Sequence, residues 1–212
     1  SGMFAYSGYA NTGAYALDLS NWDLSSVTSI YRMFMYSGYN ASSFTLGDIS
    51  NWNTVNVTNM MNTFNRTGYS ATTWSIGSLN NWKTRNVIDM YALFNRSGHN
   101  SSSFQLDLTN WDTSNVTDMD YMFTLAGASA TTFNLGDLSG WDTSNVMMMR
   151  EMFSTAGENA TTFNIGNIGS WDVSNLTSMI NFFYKAGYSA TTWYVGDLSN
   201  WDVSNVENMS SM

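Results

Sequence analysis

Two columns of aspartate run through this chain, one just before a recurring tryptophan (Asp18, Asp48, Asp107, Asp137, Asp197) and one just after it (Asp23, Asp112, Asp142, Asp172, Asp202). Stacked carboxylates are calcium chemistry, because that ion takes several oxygen ligands. The columns are broken, however, by Ser78 and Asn167 and by Asn53 and Lys83. Asp-Thr-Ser-Asn is also turn chemistry, in which the carboxylate accepts a backbone N–H two residues on. Turn capping is the expected role, with no metal and no cofactor. Fifteen methionines raise the matter of a soft-metal site. They alternate with Ile30, Thr63, Leu93 and Phe182 at equivalent places, which no metal site would survive, so they read as adaptable core filler.

Catalysis has little to draw on. His99 is the single histidine, there is no cysteine, and no glycine-rich phosphate cradle occurs. Glu151 and Glu158 belong to residue types used in glycoside chemistry, but nothing in their spacing makes them a pair, and no enzymatic activity is expected.

The residues that differ between repeats are more telling. With the recurring Trp as position 1, positions 14, 15 and 18 bring Tyr6 and Tyr9, Tyr36 and Tyr39, Arg66 and Tyr69, Arg96 and His99, and later Lys185 and Tyr188. In register these make an aromatic and cationic stripe along one edge, holding three of the chain's seven basic residues at position 15. Tyr and Arg are enriched in interface hot spots, so Tyr36, Tyr39, Arg66, Tyr69, Arg96 and His99 form the candidate binding site. The competing reading is a solvated loop whose tyrosines cover the neighbouring coil. A second candidate surface is the outward side of the strands at Gln105, Asn134 and Tyr194.

The element that must position this stripe is a repeat. Tryptophan returns at Trp22, Trp52, Trp82, Trp111, Trp141, Trp171 and Trp201, at intervals of thirty residues with one of twenty-nine. Residues 1–212 therefore read as one solenoid of about seven coils, each a supersecondary unit that buries its apolar face only by stacking. Within a unit, position 6 is nearly always Val, position 9 Met or Ile, position 13 Phe, position 16 small and position 17 Gly. Such spacings of three and four, closed by Gly, predict a short helix or helical turn. In one unit Val116, Met119, Phe123 and Ala126 form its buried stripe, and Thr117 or Asp118 caps it. The phrase Thr131-Thr132-Phe133-Asn134-Leu135 alternates like a half-buried strand, with Phe133 and Leu135 inward. Two units read Leu17-Asp18-Leu19 and Leu106-Asp107-Leu108 where the others insert a residue, usually Gly, which fits a glycine bulge.

Successive strands then form one continuous parallel sheet, and a more widely spaced helical side bends the right-handed stack into an arc. The fold class expected is a leucine-rich-repeat-like solenoid. The position-5 asparagines (Asn56, Asn86, Asn115, Asn145, Asn175, Asn205) resemble an asparagine ladder, whose amides satisfy turn backbone groups. Several lie in Asn-x-Ser/Thr sequons, and a buried ladder amide is closed to a glycan, so the sequons read as by-products of the repeat.

Sixteen acidic against seven basic residues give a net charge of -9, which argues against nucleic acid or anionic lipid as a partner. No apolar run approaches the roughly 20 residues of a membrane helix, so this segment is not expected to insert directly. The first residues lack signal-peptide character, and both ends fall in mid-repeat, which leads us to expect a portion of a longer protein.

The phrase from Trp141 to Val146, followed by Met149 to Phe153, closely resembles the repeats of BspA-type leucine-rich-repeat bacterial surface proteins and related mycoplasma surface lipoprotein repeats. The resemblance covers essentially the whole chain, although units of that family are usually shorter and lack the stretch seen from Ala186 to Trp193. It implies an extracellular, cell-attached protein that binds components of a host or neighbouring cell. The expected function is adhesion to a protein or glycan partner. The alternative is a structural stalk or self-assembling filament whose partners are sister chains.

Overall fold

The computed structural model describes residues 2–212 as a repeat solenoid, with six turns of about thirty residues between its first and last strands. Each turn contributes one three-residue strand: β1 (Ala14–Ala16), β2 (Ser43–Thr45), β3 (Thr73–Ser75), β4 (Ser103–Gln105), β5 (Thr132–Asn134), β6 (Thr162–Asn164) and β7 (Thr192–Tyr194). In β1 to β6 the middle residue is aromatic and buried between two outward ones, as the alternating phrase requires. Phe133 and Leu135 both point into the core, as expected from sequence. Every observed pairing is parallel and joins aromatic to aromatic, such as Phe104 to Phe133 to Phe163.

The sheet is not continuous. β1, β2 and β3 form one sheet and β4 to β7 a second. The break falls where a coil that carries the bulge glycine, Gly77, is followed by the coil that omits it, Leu106-Asp107-Leu108. At four of the other five junctions the residue after the strand donates its N–H into the next coil, as Leu46 does to Ser75 and Leu135 to Asn164. The glycine reading itself holds, since Gly47, Gly77, Gly136, Gly166 and Gly196 all have φ between 72° and 89°, backbone that only glycine adopts cheaply.

The expected helix is absent. Among the described residues the only helical segment is a 3₁₀ turn, Leu138–Gly140. Val116, Met119, Phe123 and Ala126 are all fully buried as predicted, but a chain of β-turns buries them. The N–H groups of Met122, Thr124 and Ala126 each donate to the carbonyl three residues back, while those of Tyr121, Phe123 and Leu125 donate across to Arg150, Met152 and Ser154 in the next coil. Tyr121 and Leu125 have φ of 60° and 57° at the third place of their turns, the signature of type II geometry. Half of the N–H groups here are thus spent between coils, where a helix would spend them within itself. With no helical side, the reason to expect an arc lapses. The cap falls at position 8: Asp118 Oδ1 accepts from the N–H of Asp120 at 2.9 Å, and Asn59 and Asp89 do the same in their coils.

Three ladders of rings fill the interior. The position-13 phenylalanines stack at 5.4–5.6 Å from Phe34 through Phe153, and the strand aromatics make a second column. The periodic tryptophans make the third; those from Trp52 to Trp201 are buried, and Trp22 partly so. Each buried indole N–H finds a partner in the coil before, as Trp82 does at Ile49 O, 3.0 Å away. The turn glycines are fixed by close approach to this core: a Cβ on Gly68, whose φ is 50°, would lie 2.5 Å from Phe44 Cβ.

Candidate functional site

The stripe is built by the second type II turn of each coil. In Phe34–Ser37 the Ser37 N–H closes the turn on Phe34 O, and Tyr36 occupies the third place with φ 61°. Arg66 and Arg96 take the same place in the following coils, with φ of 57° and 56°. A non-glycine residue in this left-handed region costs on the order of 1–3 kcal/mol. What holds it there is the neighbouring coil, because the N–H groups of Tyr36, Arg66 and Arg96 donate at 2.8 Å to Asn65, Asn95 and Thr124 carbonyls. The repeat thus presents a long side chain where glycine or asparagine would be cheaper.

Two adjoining columns result. In the first, Tyr6 stacks on Tyr36 at 4.7 Å, and Arg66 extends the column with its guanidinium 5.0 Å from the Tyr36 centroid and a 2.6 Å hydrogen bond from Nη1 to the Tyr36 hydroxyl. In the second, Tyr9, Tyr39, Tyr69 and His99 stack in turn at 5.1, 4.8 and 4.5 Å. Tyr36 joins the columns by a tilted contact with Tyr39 at 5.5 Å. Burial, together with Tyr69 and Tyr9 alongside, pushes the Tyr39 hydroxyl above its ordinary pKa. Five of the six candidate residues thus form one connected cluster. Arg96 stands in line with Arg66, and its side chain has no hydrogen bond or ion pair among the described residues. All six are partly exposed, so the tyrosines cover their neighbours and face solvent at once. Lys185 and Tyr188 lie apart from this cluster: Ala128 and Glu158 interrupt the second column, and Lys185 is ion-paired to Glu158 at 3.3 Å.

A groove beside the first column includes residues that the sequence reading missed. Arg32, Asn62, Asn65, Asn95 and Tyr121 line it together with Tyr36, Arg66 and Arg96. Arg32, Asn62 and Tyr121 sit at position 11, the third place of the first type II turn, four residues before position 15. That four-residue offset between two variable positions was the signal available in the sequence. Asn65 donates from Nδ2 to Asn62 Oδ1 at 2.5 Å, while its own Oδ1 is buried without a partner. The two ion pairs among the described residues, Arg150–Asp120 and Lys185–Glu158, leave Arg32, Arg66 and Arg96 without a carboxylate.

The other chemistry-bearing columns are structural. All ten aspartates accept the N–H two residues on, from Asp18 and Ser20 at 3.1 Å to Asp202 and Ser204 at 3.0 Å. Serine hydroxyl and backbone donors hold the Asp18, Asp48, Asp172 and Asp202 carboxyls below their ordinary range. No three carboxylate or histidine side chains converge as a metal cage among the described residues. The position-5 asparagines do form a ladder, each amide reaching the preceding coil, as Asn145 Nδ2 does to Ser114 O at 2.7 Å. These amides are exposed, however, so their engagement by backbone, rather than burial, is what occupies them.

Glu151 and Glu158 do not pair with each other, since Glu158 is taken by Lys185 and Glu151 accepts from Asn181 at 3.4 Å. A second acidic feature lies on the position-8 ladder. Asp89 and Asp118 bridge between adjacent coils, and burial pushes the Asp118 carboxyl up to about 6 and raises that of Asp89 as well. Asp120 beside them is fully buried and held by the Arg150 guanidinium at 2.5 and 2.9 Å. No helix of the described residues is long and apolar enough to cross a membrane.

No curated protein and no solved structure matches this chain. A family model does, over residues 5–100, 68–187 and 128–212, which together cover almost its full length. The chain belongs to that family, DUF285, described as a mycoplasma protein of unknown function.

Proposed function

We propose that this chain is an extracellular, cell-surface binding module akin to BspA-type surface repeats. It docks a protein or glycan partner along the edge that carries Tyr36, Tyr39, Arg66, Tyr69, Arg96 and His99. The observation that carries this reading is the concentration of unpaired cations and stacked rings on one edge of a chain whose net charge is -9. In a solenoid, the places every coil needs for packing cannot also vary to fit a ligand. Here the varied places coincide with an exposed, polar, aromatic-rich surface of the composition found in interface hot spots.

No catalytic step is assigned, and partners with phosphate backbones are disfavoured by the charge. The test measures binding of the parent and of Tyr69→Ala/Arg96→Ala to cells and to arrays of glycans and matrix proteins. The double variant is expected to lose most binding while melting within a few degrees of the parent. Undiminished binding by a folded double variant moves the site to another face, the outward side of the strands at Gln105, Asn134 and Tyr194 being next. Light scattering on the isolated chain separates this reading from a self-assembling stalk: a monodisperse monomer is expected, and concentration-dependent polymers would favour the stalk.

A further inference from the structure

We propose that the groove beside the first column binds an extended acidic peptide segment, held by Arg66 and Arg96 with Arg32 at one end. This rests on the docking reading above and names its partner class. Arg66 and Arg96 occupy the same place on adjacent coils, so two like charges stand on one edge with no carboxylate of the chain paired to either. Like charges so placed repel, and the arrangement is relieved by an anion that bridges them. Most of the acids are engaged elsewhere, since the aspartate columns accept from their own turns and Asp120 and Glu158 already have cationic partners.

Two further features narrow the ligand. Tyr36, the first-column ring that lines this groove, is covered by Tyr6 at 4.7 Å and by the Arg66 guanidinium at 5.0 Å, so it offers its edge rather than an open face. Sugar rings and nucleic-acid bases bind aromatic side chains by stacking on their faces, and those of Tyr36 are taken by its neighbours in the column. Carboxylates need only guanidinium edges, which take them in bidentate fashion. The groove follows the coil axis from Tyr6 and Arg32 past Arg66 and Arg96 to Tyr121 and Glu151. That shape suits an extended strand of polypeptide, and Glu151 at the far end marks where an acidic segment would stop.

The test uses the whole chain and a fluorescently labelled twelve-residue Glu/Gly peptide, with a Lys/Gly peptide and sialylated and sulfated oligosaccharides as competitors. Anisotropy should show saturable binding of the acidic peptide that weakens as salt rises, with no binding of the basic one. Arg66→Gln/Arg96→Gln should lose at least tenfold in affinity, and Arg66→Lys/Arg96→Lys should lose less. Because the Arg96 side chain bonds to nothing in the fold, Arg96→Gln alone keeps the test decisive if the double variant fails to fold. Equal binding by Arg96→Gln, no binding of the acidic peptide by the parent, or displacement by an oligosaccharide in preference would each overturn the proposal. Cell binding measured in parallel separates the two readings. If Arg96→Gln weakens cell binding while the parent ignores acidic peptide, the partner class is wrong and the docking edge stands. If cell binding survives both Arg96→Gln and Tyr69→Ala, the edge itself is wrong.

Discussion

The indole N–H of Trp82 donates to the carbonyl of Ile49, thirty-three residues earlier and one coil away, at 3.0 Å inside a core from which water is excluded. The same bond recurs from Trp52 to Leu19 and from Trp141 to Leu108. Tryptophan is therefore the repeat's marker for two reasons at once: it stacks on its neighbours, and it gives a second, buried hydrogen bond to the carbonyl that closes the turn of the coil before, since Ile49 O also accepts the Trp52 N–H at 3.2 Å. Trp82→Phe keeps most of the stacking and removes the bond. Ile49 O keeps its bond from the Trp52 N–H, so the loss is that of one buried hydrogen bond, about 0.5–1.5 kcal/mol, and chemical denaturation should show a loss of that size. A midpoint equal to the parent's would mean that the ladder contributes nothing.

The position-13 ring column makes a stronger demand. Phe64 and Phe123 are wholly buried and stack on both neighbours. Phe64→Ala or Phe123→Ala should cost about 3–5 kcal/mol. Hydrogen exchange should quicken in the two flanking coils as well as in the mutated one. Protection lost in a single coil only would contradict the nearest-neighbour character of the stack.

Acid should strengthen the fold before it weakens it. The Asp118 carboxyl titrates in the folded chain near 6, above its ordinary value, because burial penalises its charge. A folded pKa above the unfolded one means that its contribution is present in full below the unfolded value and is lost as pH rises through about 6. The melting temperature should therefore rise as pH is lowered from about 7 to about 5. Below the ordinary carboxylate range it should fall again, because the turn-capping aspartates, whose pKa values are depressed, then lose their charge. Asp118→Asn keeps the cap that Asn59 makes in its coil and should flatten the rise. A variant with the parent's full pH profile would assign the effect elsewhere.

Removing divalent ions should change nothing. The aspartate columns accept from their own turns, and that bonding needs no cation. EDTA should leave the melting temperature where it was. A drop of several degrees restored by calcium would turn Asp137, Asp142 and their neighbours into ligands.

The core was legible because burial follows periodicity whatever the backbone does. Positions 9, 12, 13 and 16, which are Met90, Leu93, Phe94 and Ser97 in one coil, are all buried. They carry the i, i+3, i+4, i+7 spacing of a helix, and linked type II turns bury the same set. The sequence has no mark that tells these apart except residues such as Tyr36 and Arg66 in left-handed backbone, and intrinsic preference argues against placing them there. The hydrogen bonds that compensate run to the next coil, so the local sequence does not show them. The same reasoning covers the site. Tyr36, Tyr39 and Tyr69 were visible as variable, interface-type residues, whereas Asn62, Asn65 and Asn95 read as ordinary polar turn residues. Asn65 and Asn95 precede Arg66 and Arg96 in the chain, but only three dimensions gather them with Asn62 into one groove.

The gap between β3 and β4 gives the rod a preferred line of flexure. Across that junction the turn side remains zipped, with Phe64 N–H on Leu93 O and Gly98 N–H on Thr67 O, while the strand side keeps the Ser102 N–H on Thr72 O just ahead of the strands and, between the strands themselves, ring contact of Trp74 with Phe104 at 4.8 Å. Rings slide where hydrogen bonds tear. A load that bends the molecule is therefore taken up first at this junction, opening the strand side about the turn side as a book opens about its spine. Arg66 and Arg96 belong to the two coils that meet there but sit on the zipped side, where the Arg66 N–H donates to Asn95 O at 2.8 Å, so such flexure would open the strand side while leaving their spacing nearly unchanged.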